Sequence, residues 1–459
     1  MNRLEADVCV VGAGFAGMSV AWRLHQEGLA VVVLEARNRV GGRTWTEYLA
    51  DGSHIDRGGA WFGPGQDRSY ALAEEMGRPT YPTWYEGDNI LVESGKPKRY
   101  AGLVPLRINP WQLANLGLAV SRLDNMAKKV PSDDPWKAAK ARELDQRTIG
   151  AWIAHNTDSG TGRDMVEGFL TGLFGCDLSE VSMLGALHMI HSNGGINDIG
   201  SIKGGHQQDR VLGGTQSVLN AVHERLGDRV RLDSAVRDVA WGGDSVDVSG
   251  PNVTVHARHA VVAVPIWLSD RILWDPPLPI DRAQLIQRVP PGQFYKIHLV
   301  YDEPFWRNDG LNGQTLDNNS PVPLTLDGCG PEPGPGVLVI ISGGVHAHDL
   351  SSMGADERRA TVIDEVRRRF GQRGARVENY IEQNWTDEQW TRGDMCTHWP
   401  SGVLTQFGPA LRPPVGRLHW AGTETAPIMF GSIDGAIRSG DRAAREILAA
   451  ESEEVAVSG

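Results

Sequence analysis

Cysteine is scarce in this chain, with four residues among 459. They stand at Cys9, Cys176, Cys329 and Cys396, and no two have the Cys-x-x-Cys spacing of a zinc ribbon or a local redox pair. The spacing excludes these two kinds of site. The small number of cysteines is typical of a reducing compartment, so we expect a cytoplasmic protein.

Long hydrophobic runs and an excess of basic residues are also absent. No stretch reaches the roughly 18 apolar residues of a transmembrane helix, so we expect no membrane partner. The 45 lysines and arginines are outnumbered by 57 acidic residues, and the resulting net charge of -12 argues against a nucleic-acid partner. An acidic surface attracts a cationic substrate. The composition does not determine the oligomeric state, and a homodimer is one of the states it allows.

The first forty residues contain a dinucleotide-binding pattern. Val8 to Val11 form a short apolar run that predicts a buried parallel strand. Gly12, Gly14 and Gly17 follow with G-x-G-x-x-G spacing, and an apolar-periodic stretch from Met18 to Leu29 predicts a helix. The first glycine permits the tight turn, the second lets the backbone approach a pyrophosphate, and the third allows close packing of helix on strand.

The residues after this helix complete the pattern. Ala30 to Leu34 predict a second strand, and Glu35 at its end is placed to accept hydrogen bonds from a ribose. The helix N-terminus offers unpaired N–H groups to phosphates, and Arg43 could set a guanidinium against the diphosphate. The pattern predicts a bound dinucleotide, and by itself it leaves NAD and FAD both open.

Several further motifs are distinctive. Two lie near the N-terminus, Arg37-x-Arg-Val-Gly-Gly-Arg43 and Asp56-x-Gly-Gly-Ala-Trp-Phe-Gly63, and others are Pro304-Phe-Trp306 and, near the C-terminus, Ala421-Gly-Thr-Glu-Thr-Ala426. These motifs resemble those of the flavin monoamine oxidase family, including its bacterial members, and the resemblance covers nearly the whole chain. It implies an α/β fold in which an interleaved α+β substrate domain interrupts a Rossmann-type FAD-binding domain.

The resemblance and the shift in composition along the chain together predict the domain boundaries. The FAD-binding domain would comprise 1–80, 205–290 and 395–450, the substrate-binding domain 81–204 and 291–394, and a flexible tail 451–459. The residue pattern also predicts one helix over 135–155 and two strands at 253–257 and 259–264.

The resemblance implies FAD as the cofactor. By match to the family's motifs, the residues that would bind it are Gly12, Gly14, Ala16, Gly17, Glu35, Arg37, Gly42, Arg43, Gly59, Ala60, Trp61, Val236, Gly422, Thr423, Glu424, Ser432 and Ile433. Many family members attach FAD through a cysteine, but the matching position here is Asp394, and Cys396 lies two residues further on. We therefore expect non-covalent FAD.

Lys296 is the expected catalytic residue. It matches the family's lysine that holds a water near flavin N5 and assists the reaction of reduced flavin with oxygen. The strand pattern alone instead favours a solvated lysine, because buried lysine is rare, and the resemblance reverses this preference.

The substrate pocket is expected to differ from that of simple monoamine oxidases. The two positions that match the family's aromatic pair are Met395 and Ser432, so a larger or secondary amine is as plausible as an arylalkyl monoamine, and Trp61, Phe430 or Trp399 would compensate. The matches give the pocket as Leu173, Phe174, Ile199, Gln207, Leu324, Met395, Phe430 and Ser432. No metal is expected, because His188 and His191 have no carboxylate at ligand spacing.

The predicted function is FAD-dependent oxidation of a small amine to an imine, then to an aldehyde or ketone, with O2 reduced to H2O2. One alternative is an L-amino-acid oxidase, in which Arg57 would pair with the substrate carboxylate. Others are an amine dehydrogenase that passes electrons to a different acceptor and a flavin-carrying binding protein with little turnover. A disulfide reductase is disfavoured, because a second G-x-G-x-x-G and a Cys-x4-Cys pair are missing.

Overall fold

The computed structural model describes residues 2–102, 109–158, 160–331, 333–393 and 397–458. In chain order, the strands of these residues are β1 (Asn2–Val11), β2 (Val31–Leu34), β3 (Thr46–Tyr48), β4 (His54–Asp56), β5 (Trp61–Phe62), β6 (Thr80–Pro82), β7 (Asp88–Glu93), β8 (Lys96–Tyr100), β9 (Asp209–Val211), β10 (Val230–Arg231), β11 (Asp238–Gly242), β12 (Ser245–Ser249), β13 (Val253–Val262), β14 (Leu273–Asp275), β15 (Phe294–Tyr301), β16 (Leu311–Leu316), β17 (Leu324–Asp327), β18 (Gly336–Gly343), β19 (Asn379–Asn384) and β20 (Leu418–Trp420). The α-helices are α1 (Phe15–Gln26), α2 (Asp67–Glu75), α3 (Pro110–Ala127), α4 (Ala141–Asp145), α5 (Ile149–Asn156), α6 (Thr161–Phe174), α7 (Met183–Ser192), α8 (Ile196–Gly200), α9 (Gln216–Leu226), α10 (Ile280–Arg288), α11 (Phe305–Asn308), α12 (Val345–Ser352), α13 (Ala355–Phe370), α14 (Val403–Phe407) and α15 (Ile433–Ser458).

The first sheet has the strand order β10-β2-β1-β13-β12-β11-β14, and β20 also pairs with β13. Strand β1 lies between β2 and β13 and is parallel to both. Val8 and Val10 pack into one hydrophobic core together with α1, whereas Cys9 and Val11 pack into another on the opposite face. Alternate residues of a strand point to opposite faces, so this continuous apolar run fits a sheet that is covered on both sides.

Strand β13 corrects one prediction. The residue pattern gave two strands at 253–257 and 259–264, but the structure has one continuous strand, Val253–Val262. Its first half pairs antiparallel with β12 and its second half pairs parallel with β20 on the same edge. Burial alternates along the first half and is continuous along the last four residues, so one strand carries two residue patterns.

The second sheet has the order β19-β15-β18-β17-β16-β7-β8. Strand β15 is antiparallel to both neighbours, and Lys296 lies opposite Ile341 of β18 and Gln383 of β19. A small sheet has the order β5-β9-β6. It pairs β5 and β6, which precede helices α3 to α8 in the chain, with β9, which follows them. We propose that the two large sheets mark the FAD-binding and substrate-binding domains.

The single helix expected over 135–155 is divided in the structure. Helix α4 ends at Asp145, and α5 begins at Ile149. Between them, Thr148 has an extended backbone, and its hydroxyl accepts a hydrogen bond from Ala151 N at 3.2 Å. A threonine that caps a new helix in this way necessarily ends the preceding one.

The last helix includes most residues of the tail expected at 451–459. Helix α15 continues to Ser458. The Glu451 carboxylate lies 3.0 Å from His259 Nε2 and also contacts Arg258, and these contacts tie the helix to the first sheet. Within the described part of the chain, no helix combines the length and apolar character needed to span a bilayer.

Candidate functional site

A cavity of about 780 Å³ extends from the end of β2 to strands of the second sheet. Of the residues predicted to bind cofactor, those that line it are Gly12, Gly14, Ala16, Glu35, Arg37, Gly42, Arg43, Gly59, Ala60, Trp61, Val236, Gly422, Thr423, Ser432 and Ile433. Gly17 and Glu424 do not line it. One continuous space therefore joins the glycine motif near the N-terminus to the helix start near the C-terminus.

The glycine motif forms a turn that only small residues allow. Gly12 has a φ of +103°, which favours glycine. A Cβ on Gly17 would lie 2.0 Å from the carbonyl oxygen of Gly12, so the helix packs directly on the strand end. Gly14 precedes α1, and no side chain caps that helix N-terminus. The arrangement leaves backbone N–H groups at the cavity wall for an anionic group.

Glu35 fixes the shape of the cavity next to this turn. Its buried carboxylate accepts hydrogen bonds from Ala13 N at 2.7 Å and from Arg37 N at 2.9 Å. The sequence predicted an acceptor for a ribose, and two carboxylate oxygens have lone pairs for further donors. Glu35 therefore organises the loop and faces the cavity at the same time. The Arg37 side chain is directed to Glu388 and Thr391.

Arg43 lines the cavity and is held from behind by Glu424. Its Nη1 donates to Glu424 Oε1 at 2.6 Å and its Nη2 to Oε2 at 3.3 Å. The guanidinium also stacks over Trp267 at 5.7 Å. Glu424 is buried and lies outside the cavity wall, so it contacts Arg43 rather than the space that a cofactor would occupy. A bidentate pair of this kind fixes the orientation of the cation.

Lys296 is buried at the wall of the cavity, not solvated. Its Nζ donates to the main-chain carbonyls of Asp56 and Gly58, each at 2.7 Å. The Nζ atom also lies 4.8 Å from the centre of the Trp61 ring. Burial lowers the pKa of Lys296 from its usual 10.5 to about 7; the Asp56 carboxylate opposes this change and Arg210 adds to it.

Most of the predicted substrate pocket lies in the same cavity. The lining residues are Leu173, Ile199, Gln207, Leu324, Phe430 and Ser432. Phe174 is not among them, because it packs into a hydrophobic core. Met395 lies outside the described residues, as do Asp394 and Cys396.

Ser432 faces the cavity with its hydroxyl already engaged. The Oγ atom donates to Met429 O at 2.7 Å and accepts from Gly435 N at 3.0 Å. The second bond caps the start of α15. Phe430 lines the cavity, whereas Trp399 lies behind it with ring centroids 6.0 Å apart. Of the aromatic residues suggested to compensate, Trp61 and Phe430 therefore reach the cavity.

Sequence reasoning missed several lining residues, namely Phe169, Asn193, His206, Phe294 and Trp385. Two of them could have been found from the periodicity of the elements. Phe169 precedes Leu173 by one helical turn of α6, and Phe294 precedes Lys296 by two residues on β15. The other three belong to turns or a strand end whose direction the sequence does not reveal.

Two further candidates are directed away from the cavity. Arg57 pairs with Glu47 and lies over the Trp45 ring at 4.5 Å. His188 Nε2 lies 3.1 Å from a main-chain carbonyl, that of Ser132. Burial also lowers the pKa of His188 to about 4, so its ring is neutral.

Comparison with known proteins agrees with this geometry. A family model described as flavin containing amine oxidoreductase matches residues 15–448. AofH of Mycobacterium tuberculosis, named as a flavin-containing monoamine oxidase, is 38% identical over 443 residues, which are 96% of each chain. A putrescine oxidase bound to putrescine has 33% identity and a TM-score of 0.94, with 97% of this chain and 100% of that chain covered. Cyclohexylamine oxidase from Brevibacterium oxydans has 32% identity and a TM-score of 0.94, with coverage of 98% and 99%. This chain therefore belongs to the flavin-containing amine oxidases, a family of oxidoreductases that act on amines.

Proposed function

We propose that this protein uses non-covalently bound FAD to oxidise an amine to an imine, which hydrolyses to an aldehyde or ketone, and that O2 is reduced to H2O2. One observation supports this most directly. A single cavity joins the glycine motif of a dinucleotide-binding fold to a buried lysine and an apolar chamber. Membership of this family implies a flavin cofactor, and the cavity is where we place both the flavin and the amine.

The residues present fit FAD along the whole cavity. The uncapped N-terminus of α1, together with Arg43, offers donors and positive charge for a diphosphate. Glu35 and Val236 line the end where a ribose and an adenine would lie. Gly59 and Trp61 line the part next to Lys296. Bound FAD would supply the oxidant, accepting a hydride equivalent from the carbon next to the amine nitrogen.

The chamber beyond Lys296 is suited to a neutral amine. Its wall includes the apolar residues Phe169, Leu173, Ile199 and Leu324, together with polar ones such as Asn193 and Gln207. An apolar surrounding disfavours the ammonium form, so it would help keep the substrate nitrogen deprotonated. Gln207 Nε2 donates to Ile199 O at 3.0 Å, and the amide oxygen is then the acceptor for an amine N–H.

Lys296 would act from the side of the flavin. Two carbonyls accept two of its hydrogen bonds, so Nζ has one further position, and Lys296 lines the cavity. That position would hold a water or a proton donor where oxygen reacts. The two carbonyl contacts fix the nitrogen in place, which is the requirement for a group that must meet a reacting atom.

An amino acid is a less suitable substrate than an amine. A substrate carboxylate calls for a cation, and the arginines that line the described cavity are Arg37, Arg43 and Arg271. Arg37 contacts Glu388, Arg43 contacts Glu424, and Arg271 donates to Gln389 O at 3.0 Å. Each of these three arginines therefore already has a protein partner, and Arg57 pairs with Glu47 outside the cavity lining.

Anaerobic reduction of the purified holoenzyme tests the proposal. Putrescine, cyclohexylamine, benzylamine, an N-methylated amine and several L-amino acids would be mixed with the oxidised protein, and the flavin absorbance followed. We expect amines to bleach the flavin and amino acids to leave it oxidised. If no amine bleached it, the proposed substrate class would be rejected.

Admission of oxygen to the bleached protein then separates an oxidase from a dehydrogenase. We expect rapid recovery of the flavin absorbance with one H2O2 formed for each flavin. The Lys296→Met variant should bleach normally and recover more slowly. Recovery that is slow in wild type and fast with an artificial electron acceptor would assign the protein as an amine dehydrogenase.

A further inference from the structure

Three buried charged side chains come together at the cavity: Lys296 lines its wall, and Asp56 and Arg210 lie behind that wall. Asp56 is 1% exposed, Arg210 3% and Lys296 4%. They come from β4, β9 and β15, which are distant in sequence. Charged residues are rarely buried this deeply unless they are paired with opposite charges. Three such residues include one carboxylate and two cations, so it matters which cation is paired with Asp56.

Asp56 has one oxygen fixed by neutral donors and the other facing a cation. Its Oδ1 accepts from Thr46 Oγ1 at 2.7 Å and from Thr215 N at 3.1 Å. Its Oδ2 is buried, makes no hydrogen bond, and lies 3.5 Å from Arg210 Nη2. Arg210 is therefore the counter-ion of this carboxylate.

Arg210 is held in that position by other contacts. Its Nη1 donates to the main-chain carbonyl of Cys329 at 3.1 Å and also to that of Gly328. The guanidinium lies 5.7 Å from the centre of the Tyr81 ring. These contacts keep the cation next to Asp56, with Nη1 bonded to neutral groups.

Lys296 receives no carboxylate of its own. Its Nζ contacts two main-chain carbonyls, and its partners on the neighbouring strands, Ile341 and Gln383, are uncharged. His298, two residues along the same strand, has a pKa held well below its usual value, first by burial and then by the charge of Lys296, so it is neutral. The charges that act on Lys296 are thus those of Asp56 and Arg210.

We propose that the Asp56–Arg210 pair is a positioning element that, by cancelling its own charge, lets burial set the protonation state of Lys296. Because the pair is internally neutral, an ammonium at Lys296 is an uncompensated buried charge and readily gives up one proton to water in the cavity. The neutral amine donates two N–H groups to the carbonyls of Asp56 and Gly58 and presents its lone pair to the cavity. The ammonium form presents a third N–H there instead.

One part of this inference rests on the proposed function. It is the expectation that Lys296 changes from hydrogen-bond donor to acceptor at the flavin as pH rises. The lowered pKa of about 7 agrees with such a change near neutral pH. The pairing itself is independent of the substrate, so it can be tested without any amine.

The test is a pH titration of the visible spectrum of the oxidised, FAD-saturated protein between pH 5.5 and 9.5. Wild type should show a flavin transition near neutrality that Lys296→Met lacks. In Arg210→Gln the Asp56 charge is unopposed, so the midpoint should rise by about one pH unit or more. In Asp56→Asn, which keeps the shape of the side chain, the unopposed arginine should lower it by a similar amount.

Arg210→Lys is the matched control, because it keeps the positive charge, and its midpoint should stay within half a unit of wild type. A loosened structure would not shift the titration midpoints of Arg210→Gln and Asp56→Asn in opposite directions. If only one of these variants retains FAD, the direction of its shift tests the proposal. Equal shifts in one direction, unmoved midpoints, or a wild-type spectrum without a transition that depends on Lys296 would overturn the proposal. Failure of amines to bleach the flavin would reject the proposed function and leave this result unaffected.

Discussion

Replacing Lys296 by methionine should change the way in which stability depends on pH. Burial lowers the pKa of this lysine from 10.5 to about 7 in the folded protein. Between these two values the unfolded chain binds more protons than the folded one, and stability therefore rises with pH. Methionine binds no proton, so the variant loses this contribution to the rise.

The expected size follows from the same pKa values. Each pH unit inside the window contributes about 1.4 kcal/mol, so wild type should gain about 3 kcal/mol relative to the variant between pH 7 and pH 9.5. Below about pH 6 the difference between the two proteins should be constant. Loss of the hydrogen bonds to Asp56 O and Gly58 O adds an offset of about 1 to 3 kcal/mol for each carbonyl, and this offset does not vary with pH.

The assay is urea unfolding of both FAD-saturated proteins at half-unit steps from pH 6 to pH 9.5. Lys140→Met is the matched control, because the Lys140 side chain is 73% exposed and its loss should leave the curve parallel to that of wild type. If the curves of wild type and Lys296→Met were also parallel above pH 7, Lys296 would remain charged in the folded protein. The argument from burial would then be wrong.

Three other predictions concern cofactor binding. Gly17→Ala should abolish FAD binding, because the added Cβ would lie 2.0 Å from Gly12 O, whereas Gly117→Ala, in a helix with open space around it, should retain FAD. Glu35→Gln should raise the FAD dissociation constant by about 10-fold or more, measured by fluorescence titration, since an amide N–H₂ would face the backbone donor of Ala13 or Arg37. Acid precipitation should leave all flavin in the supernatant, and a yellow pellet would show a covalent bond.

Local sequence was sufficient for the dinucleotide motif. The strand, turn and helix around Gly12 follow from residues that are neighbours in the chain, and the structure has β1, the turn and α1 in that order. Glycine spacing and a continuous apolar run are short-range signals, and they leave few alternatives. Strand β1 begins six residues before the predicted start, at Asn2, where it pairs with β13, and α1 spans Phe15–Gln26 rather than 18–29.

The sequence was less informative wherever a side chain could point in either of two directions. Phe174 was predicted in the pocket and lies in the core, whereas Phe169 on the same helix faces the cavity. Both are aromatic residues of α6, and only the packing of that helix determines which one is turned to the cavity. Arg57 likewise follows Asp56 in the chain but contacts Glu47 and Trp45.

The sequence by itself determined the family, the flavin motif and the position of Lys296 on a strand. Tertiary structure alone decided the surroundings of that lysine. Its two carbonyl acceptors come from the last residue of β4 and from the turn that follows, and the Asp56–Arg210 pair joins β4 to β9. Burial and charge pairing depend on residues that are distant in the chain. No local sequence pattern therefore reveals whether a lysine is exposed and charged or buried with a lowered pKa.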